Sequence, residues 1–274
     1  MEDLDAFARL LTALRPWLGQ LVVVGGWAHR LHRFHPLAKS PNHPPLRTRD
    51  TDFAFAPDAV LAGDMHKALK EAGFTEEFFG EDSPPATHYR LGEEDAGFYA
   101  EFLTPLVGSD MKKGKRDATV SEAGITAQKL RYLDILLVKP WSLRVGPERQ
   151  VPLEADVDLF VPNPTSFMVQ KLLIHSGRPG GKKAQDVLYI HDTLELFGGS
   201  LRELRRLWVE AVRPSIAAKW ATKAEALAHE LFAEVTDTIR DAARIPQDRR
   251  LAPEDLQRAC AYGLDEILGK EPTS

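Results

Sequence analysis

The spacing of apolar positions changes partway along the chain. Leu4, Phe7, Ala8, Leu11 and Leu14 recur at helical intervals over residues 3–15, and Pro16 and Gly19 close that element. Leu21-Val22-Val23-Val24 is a short, β-branched apolar run that suits a buried strand. Gly25-Gly26 follows at once, and Trp27 to Phe34 then reads as a short helix. Pro36, Pro41, Pro44 and Pro45 mark residues 36–46 as a loop. Asp50 to Phe55 alternates polar and apolar positions, the pattern of a second strand. A helix is expected near 58–72, ended by Gly73. Phe74–Phe79 and Tyr99–Leu103 read as further strands, with a polar turn at Gly92–Gly97 between them.

Around residue 164 the period becomes helical and stays so. Asn163-Pro164 is a cap residue followed by proline at the first helical position. The segments 165–176, 183–197, 201–212, 215–243 and 253–268 all fit helices. The expected architecture is an α/β domain with a mixed sheet over residues 1–163, followed by an α-helical domain over 164–274.

Composition narrows the function classes. The 274 residues carry a formal net charge of -5, and a protein that coats nucleic acid non-specifically is normally basic. No apolar run approaches the ~18 residues of a membrane-spanning helix. The single cysteine, Cys260, offers no intrachain disulfide. The start Met1-Glu2-Asp3-Leu4-Asp5 is acidic where a signal peptide is basic. A cytoplasmic location is therefore expected.

The candidate chemistry begins with Asp50 and Asp52. Two apart on a strand, their side chains share one side of a sheet, where two carboxylates repel each other. A divalent cation between them makes that placement favourable. Mg²⁺ held by a few carboxylates and by substrate phosphates is the usual arrangement for phosphoryl and nucleotidyl transfer. The bland alternative for Asp-x-Asp is a solvated turn. Upstream, the small residues Gly25-Gly26 at a strand–helix junction let backbone N–H groups approach a phosphate.

Read together, the order is apolar strand, Gly25-Gly26, helix, loop, then Arg47-Thr48-Arg49-Asp50-Thr51-Asp52 on the next strand. This order resembles the nucleotidyltransferase superfamily, whose fold is polymerase-beta-like. The resemblance implies a third carboxylate on a neighbouring strand. Glu101, an acid in the apolar run Tyr99-Ala100-Glu101-Phe102-Leu103, is the natural candidate, with Glu154, Asp156 and Asp158 as its rivals.

Downstream, Phe167 to His175 is apolar nearly all round, so that helix should be buried. A lysine buried there, Lys171, needs an anionic partner unless it snorkels to the surface. In the next helix Asp186 is the acid on the apolar side, together with Tyr189, Ile190, Thr193 and Phe197, while Asp192 and Glu195 are expected to face solvent. A first-turn acid is the bland explanation of Asp186. The order Lys171, Arg178, Lys182 or Lys183, Asp186 resembles one branch of the superfamily, the AbiEii-type nucleotidyltransferases. These are the toxins of type IV toxin–antitoxin systems, with their relatives.

That resemblance spans roughly residues 20–197. It implies two Mg²⁺ ions on Asp50, Asp52 and Glu101, and an NTP substrate. Lys171 with Lys182 or Lys183 would hold the triphosphate, and Asp186 would position or activate the acceptor hydroxyl. It also implies an RNA acceptor, the tRNA 3′ end first among candidates, and a cognate antitoxin as protein partner. Two departures stand out. The 35–46 loop is long and proline-rich, and Arg47 lies one residue closer to Asp50 than the family's arginine. Both Arg47 and Arg49 thus remain open as phosphate contacts. Transfer to a small molecule or a protein is the first rival reading. A nucleotide-binding module without turnover is the second. A basic groove from Arg47, Arg49, Lys112, Lys113, Lys115 and Arg116 would favour RNA, although Lys112–Arg116 equally suits a solvated loop. His29, His32 and His35 recur every three residues without a nearby cysteine, so a core or surface role outweighs zinc. His175 and His191 likewise read as surface or core histidines, and Cys260, among helix-forming residues, reads as structural rather than nucleophilic.

Overall fold

The computed structural model describes residues 3–39, 41–79, 86–92, 97–108, 111–112, 115–116 and 118–269. The chain divides into two compact units, Met1–Phe34 with Arg47–Pro162, and His35–Leu46 with Asn163–Ser274. The larger part of the second unit begins at Asn163. The proline-rich loop groups with the helices rather than with the strands that flank it in sequence.

The first unit is built on a mixed sheet. Helix α1 (Asp3–Ala13) precedes β1 (Val22–Val24) and α2 (Gly25–His32). Next come β2 (Asp50–Ala54), α3 (Met65–Glu71), β3 (Thr75–Phe79), β4 (Ala86–Leu91) and β5 (Phe98–Pro105). A small ribbon, β6 (Met111–Lys112) with β7 (Lys115–Arg116), leads to β8 (Thr119–Glu122), β9 (Ile125–Leu130), β10 (Trp141–Val145) and β11 (Val157–Val161). The strand order is β10-β11-β1-β2-β5-β4-β3, with β9 also pairing β5 and β8. Strand β2 runs antiparallel to β1 and parallel to β5.

The alternation of β2 separates two faces. Thr51 and Phe53 point into the main core, with Ala100 and Phe102 of β5 and Tyr89 and Leu91 of β4. Phe7, Leu10, Met65, Leu69 and Trp27 from the three helices fill the same core. The Phe7 and Trp27 rings stack with centroids 4.0 Å apart. On the opposite face, Val22, Val24, Ala54 and Leu103 form a smaller apolar cluster under Leu133 and Leu136. Asp50, Asp52, Tyr99 and Glu101 have the same parity as Ala54 and Leu103, so they continue that second face beyond its apolar part.

Several expectations shift. The second helix starts at Gly25, not Trp27. The helix expected from 58 starts only at Met65, because Asp64 caps it by accepting from the Lys67 N–H at 2.8 Å. Strands β4, β6, β7, β8, β9 and β10 are additional to the expected set. The proposed turn at Gly92–Gly97 and Lys113 lie largely or wholly outside the described residues.

The second unit contains α4 (Pro164–Ile174), α5 (Gly180–Phe197), α6 (Leu201–Leu207), α7 (Arg213–Ser215), α8 (Ala218–Leu231), α9 (Asp237–Arg244) and α10 (Pro253–Leu268). Asn163 caps α4 by accepting from the Ser166 N–H at 2.9 Å. The single helix expected over 215–243 is two, because Thr236 starts a new one by accepting from Ile239 N–H. Helix α5 packs against α4, α9 and α10. Cys260 on α10 is fully buried, and burial first, then the charge of Asp192, pushes its thiol well above the ordinary range. That environment suits packing rather than nucleophilic chemistry. Among the described residues, no helix is long and apolar enough to cross a membrane.

Asp192 is the clearest correction. Expected to face solvent, it is 2% exposed. The cause is the 35–46 loop, which lies along this side of α5. Lys39 N–H donates to Leu196 O at 2.8 Å, and the His35 ring meets Phe197. Glu195 is exposed as expected.

Candidate active site

The open face of the first sheet gathers acids from two strands. The parallel register sets Asp52 opposite Glu101 and Asp50 opposite Tyr99. Neighbouring strands lie about 4.8 Å apart, so the three carboxylates crowd one patch. All are half-buried. The rivals to Glu101 lie elsewhere. Glu154 and Asp156 precede β11, and Asp158, on that strand, points to Arg144 at 3.1 Å. Strand β11 pairs β1 and β10 rather than β2.

The backbone at the strand–helix junction closes one side of the patch. Val24 pairs with Asp52 across β1 and β2, and Gly25 follows at φ +65°. A Cβ on Gly25 would sit 2.1 Å from Asp52 Oδ2. Only glycine both adopts this backbone conformation cheaply and leaves room for the carboxylate. The N-terminus of α2 therefore begins beside Asp52, with its first N–H groups free of helical carbonyl partners by construction.

Two residues that the sequence did not single out complete the patch. His88 on β4 sits opposite Glu101, and its Nε2 lies 2.8 Å from Glu101 Oε1. The His88 ring stacks on Tyr99, with centroids 4.6 Å apart and planes 14° from parallel. Burial raises the Tyr99 phenol well above its ordinary range, followed by the charges of Asp50, Glu101 and Asp52, with Arg49 opposing. The phenol thus senses all three acids at once. Accumulated negative charge beside backbone amides is the setting a divalent cation and a phosphate chain require.

The remaining first-unit candidates lie just before β2. Thr48 donates its hydroxyl to Asp50 Oδ1. Arg47 is exposed and contacts Asp3 at 3.4 Å, and Arg49 is also exposed.

The second unit holds the lysine block. Lys171 is 6% exposed and Asp186 is 3% exposed, and they pair at 2.7 Å. Arg178 Nε reaches the other oxygen of Asp186 at 3.2 Å. The Lys171 ammonium also lies over the rings of Tyr189 at 5.0 Å and Phe167 at 5.4 Å. The anionic partner that a buried lysine demands is therefore Asp186 itself. Beside this group, His175 has its pKa lowered by burial first, then by Lys183, with Asp186 opposing. Lys182 is exposed and Lys183 is half-buried at the start of α5. His29 and His32 are buried in the first unit, with His32 Nε2 2.8 Å from Pro162 O, and His35 belongs to the second unit.

Compared with known proteins, the chain matches a family model described as Nucleotidyltransferase over residues 2–213. No curated protein matches it.

Proposed function

The chain belongs to this nucleotidyltransferase family, and on that premise we propose that it moves a nucleoside monophosphate from an NTP to a hydroxyl, releasing pyrophosphate. The observation that carries this reading is Asp52 facing Glu101 across two parallel strands, with Asp50 on the same face and Gly25 against Asp52. Asp50, Asp52 and Glu101 are the residues that would hold Mg²⁺, two ions in all. When bound, these ions neutralise the triphosphate and stabilise charge on the leaving pyrophosphate.

The protein's own part is positioning. Backbone N–H groups at Gly25 and Gly26 receive the phosphate chain at the start of α2. Thr48 holds Asp50, and His88 holds Glu101. Arg49, with Arg47, supplies positive charge near the phosphates. The second unit offers Lys182 and Lys183 at the start of α5, while Lys171 and Arg178 hold the buried Asp186. The attacking oxygen forms a bond to the α-phosphorus while the bond from that phosphorus to the β-phosphate bridging oxygen breaks.

The acceptor in this reading is RNA, the tRNA 3′ end first among candidates, and the role is that of a toxin restrained by an antitoxin protein. Incubating the protein with Mg²⁺, the four α-³²P-labelled NTPs and total tRNA should label RNA, and Asp52→Ala should give none. Label that persists in Asp52→Ala overturns the site. The net charge of -5 favours a second reading, transfer to a small molecule or a protein. Label in those acceptors and none in tRNA selects it. Growth arrest on expression of the wild type, absent for Asp52→Ala, tests the toxin role separately.

A further inference from the structure

The second unit holds a cluster that the nucleotidyl-transfer reading does not use. His43 comes from the proline-rich loop, and Asp192 and Glu195 lie one helical turn apart on α5. One ligand atom from each lies within 4.8 Å of the others. The His43 side chain is 7% exposed and that of Asp192 is 2% exposed. His43 Nε2 approaches Glu195 Oε2 at 3.0 Å. On the far side, Arg249 Nη2 donates to Asp192 Oδ1 at 2.6 Å, and His191 Nδ1 lies 3.0 Å from the same oxygen.

The imidazole of His43 has two competing arrangements. Its Nδ1 lies 2.5 Å from Arg249 Nη1 and 3.0 Å from Pro44 O. One ring nitrogen cannot accept from the guanidinium and donate to the carbonyl at once. If it accepts from Arg249, then Nε2–H donates to Glu195. If Nδ1–H donates to Pro44 O, then Nε2 turns its lone pair toward the carboxylates. That second tautomer is favourable only with a cation among them. It is also how metal-bound histidines are ordinarily held, the distal N–H donating to a backbone carbonyl.

We propose that His43, Asp192 and Glu195 form a binding site for a divalent first-row transition ion, with Zn²⁺ as the representative, separate from the carboxylates of β2 and β5. One imidazole and two carboxylates suit such an ion better than Mg²⁺, which prefers oxygen. Asp192 and Glu195 carry two carboxylates against the single guanidinium of Arg249, so a dication is tolerated. A cavity of about 450 Å³ borders the cluster, lined by His191, Glu195, Arg249, Arg250 and Tyr262 among others, and gives the ion an entry path. The consequence is a clamp, because the ion ties the loop 41–46 to α5.

The experiment is Zn²⁺ titration by calorimetry, with thermal unfolding as a second readout, on purified full-length chain stripped by chelator. Wild type should bind one equivalent at this site and gain in Tm. His43→Gln and Glu195→Gln should each lose that equivalent and the Tm gain, while their metal-free far-UV dichroism matches wild type. The Asp52→Asn/Glu101→Gln double variant, in which the proposed transfer site is disabled, should keep both. The proposal is overturned if wild type binds no Zn²⁺, or if binding survives both His43→Gln and Glu195→Gln. It is equally overturned if the equivalent disappears in the Asp52→Asn/Glu101→Gln variant.

Discussion

At the scale of single residues, Gly25 and His88 bound what the acidic patch tolerates. Gly25→Ala places a methyl group on Asp52 Oδ2 and forces a left-handed alanine. The backbone cost is about 1–2 kcal/mol, and the displaced carboxylate costs function far more. The expected result is a fold that unfolds at slightly lower urea but has lost nucleotidyl transfer by at least ~100-fold, in line with a misplaced catalytic group. His88 acts through Glu101. His88→Leu should weaken Mn²⁺ binding on the order of tenfold, the usual scale for an outer partner of a metal ligand. His88→Gln, which retains a donor, should recover most of it. Equal losses in both variants would contradict a positioning role. The acids themselves were legible because Asp-x-Asp and Glu101 break apolar strands. His88 was not, because a histidine in Ala86-Thr-His-Tyr-Arg-Leu91 has no meaning until β4 is paired with β5.

Elements differ in how much of their pairing is local. Strands β1 and β2 were readable from a buried valine run and from clean alternation. The β8–β9 hairpin was not. Its two-residue turn is Ala123-Gly124, at φ 47° and 77°. This geometry normally announces itself as Asn-Gly, and the alanine hides it. Ala123→Asn should therefore stabilise the protein by about 0.5–1 kcal/mol, read as a higher urea midpoint with unchanged slope. The α4–α5 pair gives the opposite lesson. Burial of Lys171 and Asp186 is legible from helical faces alone, and their ion pair follows from the cost of burying either charge singly. Lys171→Met should destabilise the chain by roughly 1–3 kcal/mol, because Asp186 stays buried with only Arg178 left to compensate its charge. The Lys171→Met/Asp186→Leu double variant should regain much of that in denaturant unfolding. Additive losses would rule out direct coupling of the pair.

For the whole molecule, a hydrophobic period that changes near residue 164 matches the run of helices from α4 to α10, the first of them capped by Asn163. The loop 35–46 defeated the same reading. Its prolines say only that it is not regular structure. Its packing on α5 rests on Lys39 N–H, His35 and His43 meeting residues more than 150 positions away, and it buries Asp192 as a result. The claim that matters most for function concerns the first unit, where residues distant in sequence converge on one sheet face. Mn²⁺ binding in the presence of a non-hydrolysable NTP, followed by electron paramagnetic resonance, reads that convergence without knowledge of the acceptor. Asp50→Asn, Asp52→Asn and Glu101→Gln should each weaken binding by ~100-fold or more, while Asp158→Asn, on the strand facing Arg144, should match wild type. Unchanged binding in Asp52→Asn and Glu101→Gln, or loss in Asp158→Asn alone, would contradict the site.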